Sequence, residues 1–428
     1  MTDTSRLVEH FFRHEYGRLV AVLMSQLGVR NLELVEDVVQ TALSRALLVW
    51  PRSGTPDDPA GWLYRTAKNS ALDALRRQAI AQRAIENTLQ QPFSSASESW
   101  QAEAEHEIGD ETLRLLYLTC HPILSPDSRI ALALKLVCGF GIHEIACGLL
   151  TTPSNIEKRL TRAKERLREQ AIEITELNSM DLLERRESVL STIYLIFNEG
   201  FSSTCGDEPI RVDLCHEAIR MTRMIASHSK YSGPAVSALL SLLLLHSARL
   251  DSRLDSSGAA VLLADQDRSL WKWDWIREAM WWAEKSAYGA ELSRYHIEAA
   301  IAWEHCRATD FSTVNWTQIA RLYSMLLQRF TTPMIRLNAA VAQSYVNGPE
   351  IGRVQLLAID GKDRKRLHPW WDCCMAQLHE RSGDPEAAYF HWRDALVLAT
   401  APAQKRFIQC QIDRISQSKG MFESKTED

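Results

Sequence analysis

The sequence predicts an all-α chain, and three observations lead there. Apolar residues recur at three- and four-residue spacing along most of the 428 positions. Strand-like alternation is scarce, and Gly and Pro gather in short breaks between the periodic runs. Leu7–Gln26 reads as one helix and Leu32–Trp50 as a second, ended by Pro51. In the second, Val35, Val38, Val39, Ala42, Leu43 and Ala46 are expected to face inward. Glu36, Asp37, Gln40, Ser44 and Arg45 are then left for an exposed polar face that either receives a partner helix or binds nothing.

The segment PRSGTPDDP is a rigid polar loop, after which Asp58-Pro59 or Gly61 starts the helix GWLYRTAKNSALDALRRQ. That helix carries Trp62 and Tyr64 beside Arg65, Lys68, Asn69, Arg76 and Arg77. Aromatic faces can stack unpaired bases and the cations can neutralise phosphates, which is what single-stranded nucleic acid requires. The plainer reading is a packed Trp62 with solvated arginines, and for Trp62 alone packing is favoured. Around Gln90–Asp110 the composition turns polar, acidic and Ser-rich, as in a linker.

Between Leu124 and Arg168 the chain reads as a helix-turn-helix ending in a long basic helix. Thr152 can cap that helix and Pro153 suits its first position, where a missing N–H costs nothing. Ile156, Leu160, Ala163 and Leu167 make one apolar stripe, so Ser154, Asn155, Lys158, Arg159, Arg162 and Arg166 point elsewhere. Such a helix suits a DNA major groove; a merely solvated charged face is the rival. Ala146 supplies the small residue that close packing of the preceding helix requires, whereas Leu150 stands where the turn often has Gly.

After Gln170 a longer, Trp-rich helical region runs to about Gln417. Ala376, Gly383, Ala388, Trp392 and Ala395 are spaced as in a tetratricopeptide helix pair, although no strict period runs through the region. In WKWDWIREAMWW, Trp271, Trp275 and Trp282 share a face and Trp273 sits off it, a stripe read as helix packing and not as a ligand cage. LLADQDRSLW is expected to form a buried polar turn or cap around Asp265, Asp267 and Arg268.

Composition narrows the function. The net charge is −5, so nucleic-acid affinity must come from local patches. No apolar run looks long enough to span a bilayer and Met1–Leu7 lacks a signal-peptide pattern, so no membrane contact is expected. The nine cysteines form no CxxC pair and read as reduced cytoplasmic thiols. His143 with Cys147, Cys215-His216 and Cys373-Cys374 are too few to make metal or nucleophile motifs, and no Gly-rich phosphate loop, GxSxG or HExxH occurs. The chain reads as a non-enzyme with no cofactor and no metal.

The strings DVVQTALSRALLVW, WLYRTAKNSALDALRR and LSPDSRIALALKLVCGFGIHEIACGLL, in that order, resemble the sigma-70 family, more narrowly its extracytoplasmic-function (ECF) group. The resemblance covers about the first 170 residues. YLIFNEGFSS, DLCHEAIRMTRMI, VLLADQDRSLW, RLNAAVA and RSGDPEAAYFHWRDAL resemble the tetratricopeptide-like extension of one ECF subgroup. DSSGAA at Asp255–Ala260 departs from that subgroup's usual Asp-Gly-Glu-Leu-like string. The resemblance implies region 2 at 1–88, a flexible linker at 89–110, region 4 at 111–172 and a helical regulatory domain at 178–420. It further implies core RNA polymerase as partner, through its β′ clamp and β flap, with Glu36, Asp37, Gln40 and Arg45 at the contact. Trp62, Arg65, Lys68, Asn69, Arg76 and Arg77 would meet the −10 element of promoter DNA, with a base flipped into the loop Arg52–Gly61. Ser154, Asn155, Lys158, Arg159 and Arg162 would read the −35 element. A regulatory protein or small ligand is left as the partner of the C-terminal domain. The alternative is a stand-alone helix-turn-helix regulator whose helical half senses a ligand or protein.

Overall fold

A computed structural model describes residues 3–85, 104–149, 151–170, 179–202, 210–256 and 258–423. Among these the fold is all-α, with no strand and one isolated β-bridge between Leu254 and Ala260. Two compact units divide the chain, Met1–Leu195 and Ile196–Asp428.

The first unit begins with α1 (Asp3–Leu27), α2 (Leu32–Ser53) and α3 (Pro59–Ile85). Leu19, Val20, Leu23 and Met24 of α1 meet a core built from Val35, Val38, Val39, Ala42 and Ala46 of α2 and Leu63, Ala67 and Ala71 of α3. Leu43 is only half-buried, so the expected inward stripe is one residue too wide. Next come α4 (Ala104–Thr119), α5 (Pro126–Leu136), α6 (Ile142–Gly148), α7 (Pro153–Glu169) and the start of α8 (Ser179–Phe201). Much of the expected linker at 89–110 lies outside the described residues, but 104–110 is helix and not tether. Leu150 of the expected turn likewise lies outside them.

Helix α1 packs on α4 and α5 as well as on α2 and α3, so both halves of this unit share one core. Two glycines permit the close approach. A Cβ on Gly17 would lie 2.2 Å from the Val137 carbonyl oxygen. Gly139, at φ +70°, would place one 2.6 Å from the Arg13 carbonyl oxygen, so a side chain there meets both a clash and left-handed strain.

The second unit contains α9 (Val212–Ser227), α10 (Pro234–Ser247), α11 (Trp273–Ser286), α12 (Arg294–Arg307), α13 (Trp316–Arg329) and α14 (Pro333–Asn347). It continues with α15 (Pro349–Leu357), α16 (Gly361–Leu367), α17 (Trp370–Arg381), α18 (Pro385–Leu398) and α19 (Pro402–Glu423). From α12 onward the helices stack largely in chain order, while α10 packs against α9, α11 and α12. Pro234–Ser252 is long and apolar enough to cross a membrane by length and composition, which amends the expectation from sequence; 89% of it is buried inside the fold, as in a core helix.

The Trp-rich helix follows its sequence pattern. Trp271 and Trp282 are buried, Trp275 is half-buried and Trp273 is exposed. Asp267 caps the short 3-10 turn Arg268–Leu270 by accepting from the Ser269 amide, so the expected cap forms. It is not buried, since Asp265 and Asp267 are both exposed.

Candidate nucleic-acid interface

Helix α7 is fixed at its start and along one side. The Thr152 side chain accepts from the Asn155 amide at 3.3 Å, and Pro153 occupies the first turn. Ile156, Leu160, Ala163 and Leu167 are all buried, packed toward α5 and α6. α6 is itself held by Glu144, whose Oε2 accepts from the Gly141 amide at 2.6 Å. With that side committed, Ser154, Asn155, Lys158 and Arg162 are exposed on one face of α7. Arg159 is half-buried and pairs with Asp127 at 3.4 Å, so it sits at the edge of the face. Asn155 Nδ2 donates to Thr151 Oγ1 at 3.1 Å, which orients the amide. The face offers donors on short and long stems, as base and phosphate contacts in a major groove require.

The opposite flank of α7 is engaged inside the same unit. Lys164 Nζ donates to Glu36 Oε2, and Arg168 Nη2 donates to Glu33 Oε1 at 3.0 Å. Glu36 also accepts from the buried Tyr16 hydroxyl at 3.4 Å. Burial, and then the Glu36 charge, raise the Tyr16 hydroxyl well above its usual range. Lys135 lies over the Tyr16 ring at 5.3 Å, and burial lowers its ammonium pKa against the opposing pull of Glu36. A second strut joins Arg13 Nη2 to Glu144 Oε1 at 2.8 Å, with the guanidinium 4.4 Å over the Phe140 ring.

This corrects one expectation. Glu36 is not on an exposed face: only 5% of it is accessible, because its carboxylate is held by the Tyr16 hydroxyl and the Lys164 ammonium. Asp37, Gln40, Ser44 and Arg45 are exposed. Leu47 and Leu48 extend the same open side of α2 and are 57% and 68% exposed. Sequence reasoning missed both leucines, although Leu48 follows Ser44 by one helical turn.

On α3, Asp58 Oδ1 accepts from the Gly61 amide at 2.8 Å and so caps the helix that Pro59 opens. Arg65, Asn69, Arg76 and Arg77 are exposed, with Arg65 4.0 Å from Asp58 and Arg76 3.6 Å from Asp73. Lys68 is half-buried, its ammonium 5.6 Å from the Tyr64 ring centre. Trp62 is also half-buried, packed edge-on against Trp50 at 5.6 Å, and Trp50 stacks on Phe12 at 5.7 Å. The ring is part of an aromatic wall, in keeping with the packing reading.

The Cys215 and Cys373 thiols are buried and Cys374 is half-buried. Burial pushes the Cys215 and Cys374 thiols up to about 12 and raises Cys373 further, so none is a thiolate near neutrality. His143 is exposed, and the Cys147 side chain lies outside what is described.

Residues 11–80 match the family described as Sigma-70 region 2, and residues 114–167 match Sigma-70, region 4. Residues 185–287 match a family of unknown function, DUF6596. An uncharacterized protein of Rhizobium meliloti (strain 1021) is 35% identical over 394 residues, covering 90% of this chain and 91% of its own. No solved structure matches the chain. Region 2 and region 4 are the parts with which such factors bind core RNA polymerase and promoter DNA to start transcription, the catalysis being the polymerase's own. The two matched regions stand in order on the helices whose capped, solvent-facing cations are described above, and the chain belongs to the sigma-70 family.

Proposed function

We propose that the chain is an ECF-type sigma factor: 1–88 docks on polymerase and meets the −10 element, 111–172 reads the −35 element, and 178–420 regulates them in cis. The observation that carries this reading is α7, with one side buried and Ser154, Asn155, Lys158 and Arg162 left in solvent. A bidentate contact from Asn155 to an adenine would discriminate by about 1–3 kcal/mol. Arg65, Asn69, Arg76 and Arg77 on α3, with Lys68 beside them, would follow the backbone of the opened strand. The residues 89–103 would tether the regions. The −10 and −35 elements lie apart on the duplex, so region 4 would leave α2 when polymerase binds, releasing Glu36 and Glu33 from Lys164 and Arg168.

The β′ clamp would meet the open side of α2, where Asp37, Gln40 and Arg45 supply polarity and Leu47 and Leu48 supply apolar area. The β flap would meet region 4. The second unit would act as a tetratricopeptide-like scaffold. Its support is the chain-order stacking of helices and the full burial of Ala376, Ala388, Trp392 and Ala395 on α17 and α18. A cavity of about 600 Å³ in that unit, walled by Trp316, Tyr345, Glu380, Arg381 and Arg414, would receive a regulatory peptide or small ligand. Such a factor would work in the cytoplasm.

The test is affinity for core RNA polymerase in Leu48→Asp. Because Leu48 is exposed, the fold should survive, and core binding should weaken at least ten-fold. Unchanged binding would remove α2 from the docking surface.

A further inference from the structure

In the second unit, α17 and α18 bring three ligating groups together. Asp372 on α17 and His391 and Asp394 on α18 place one ligand atom each within 4.8 Å of one another. His391 and Asp394 are three residues apart, so a single helical face presents both. Asp372 is 4% exposed, a carboxylate committed to the interior between two core clusters. Its Oδ2 meets His368 Nδ1 at 2.5 Å. Its Oδ1 faces His391 Nδ1 at 3.6 Å, and that nitrogen is buried and has no hydrogen-bond partner among the described residues.

That spacing is informative. It is too long for a hydrogen bond. Two donors each ~2.1 Å from a tetrahedral zinc ion stand roughly 3.4 Å apart, close to what Oδ1 and Nδ1 already show. The Trp371 ring packs edge-on against His391 at 5.9 Å and His368 at 6.4 Å, which restrains both imidazoles. His368 then serves Asp372 as an outer-shell partner serves a metal-bound carboxylate. A plain His368–Asp372 pair would explain one oxygen of the carboxylate. It explains neither the unpartnered His391 nitrogen nor the convergence of Asp394.

We propose that Asp372, His391 and Asp394 form a binding site for a divalent transition ion of the Zn²⁺ class, joining α17 to α18. Imidazole among the donors favours such an ion over Mg²⁺ or Ca²⁺. Three protein ligands leave a fourth position for water or an incoming group. His368 is a positioning residue, holding Asp372 through the oxygen that does not face His391.

The test uses the full chain, stripped with a chelator and titrated with Zn²⁺ alone against a chromophoric competitor, beside Asp394→Asn. Asp394 is exposed and its replacement leaves the core intact. The wild type should bind one more Zn²⁺ per chain than Asp394→Asn at competitor-limited concentrations, with affinity at the site falling about 100-fold in the variant. Zn²⁺ should raise the melting temperature of the wild type and not of the variant. His368→Gln should weaken binding about ten-fold without changing stoichiometry. Equal Zn²⁺ stoichiometry and affinity in wild type and Asp394→Asn would overturn the site. So would Co²⁺ loading dominated by a thiolate charge-transfer band that Asp394→Asn leaves in place, since the proposed donors include no sulfur.

Discussion

The two compact units bury charged groups in different ways. In the first, charge meets charge across residues far apart in sequence: Lys164 on Glu36, and Arg13 on Glu144. In the second, beside ion pairs such as Arg223 with Glu278, two half-buried guanidiniums lie on rings and carbonyls. Arg253 is 3.6 Å from the Phe201 ring centre, and Arg268 is 4.4 Å from that of Trp271 while donating to the His305 and Ala308 carbonyls at 2.9 and 2.7 Å. Ion pairs between separate helical groups can be exchanged for other partners when those groups part. Guanidiniums that hold backbone carbonyls in one chain segment cannot be released without loosening the local fold. The contrast suits the parting of the two regions proposed above, which would need ion pairs in the first unit that can exchange partners.

The strongest way to break this comparison is Lys164→Met. It leaves Glu36 buried beside Tyr16 with its main partner gone, which should cost about 3 kcal/mol and expose α7 peptides to hydrogen exchange. Adding Glu36→Met should restore most of the loss, because the pair is then replaced by apolar volume. In the second unit Arg268→Met should cost roughly 2 kcal/mol, since two carbonyls lose a charged donor. If the Glu36→Met, Lys164→Met double variant stayed as unstable as Lys164→Met, the pairing in the first unit would not be separable.

Acid should sharpen the difference. Burial, followed by repulsion from Arg249 and Arg268, lowers the His305 pKa from 6.5 to about 3. The unfolded chain therefore binds a proton there between those values while the folded chain does not. Stability from this group is present above 6.5 and is lost as pH falls, by up to about 1.4 kcal/mol per pH unit. His246 is lowered in the same direction, chiefly by burial. Of the 13 tryptophans, all but Trp50, Trp62 and Trp100 belong to the second unit, so their fluorescence reports its unfolding by urea. His305→Asn should flatten the pH dependence, and an equally steep profile would contradict the assignment.

What could be read from sequence was local. The Ile156, Leu160, Ala163 and Leu167 stripe, the Thr152 cap and the contrast between Trp282 and Trp273 follow from helical period and capping chemistry alone. What escaped depends on partners distant in the chain. Nothing near Glu36 announces that Lys164 will cover it, and although Leu48 shares the side of Ser44, its apolar character does not announce an open position. Asp372 and His391 each look ordinary until α17 and α18 pack. Periodicity tells which side of a helix is apolar; it does not tell what stands opposite a polar flank.

The most direct measurement is transcription by purified core RNA polymerase with the full chain, on a linear template library randomised across the −35 element. With the native chain, transcripts should come from a narrow set of sequences. Asn155→Ala should relax the preference at one base position while leaving initiation intact. Transcripts whose −35 sequences are random with the native chain, or a preference unchanged by Asn155→Ala and Lys158→Ala together, would contradict the assignment of α7 as the promoter-reading helix.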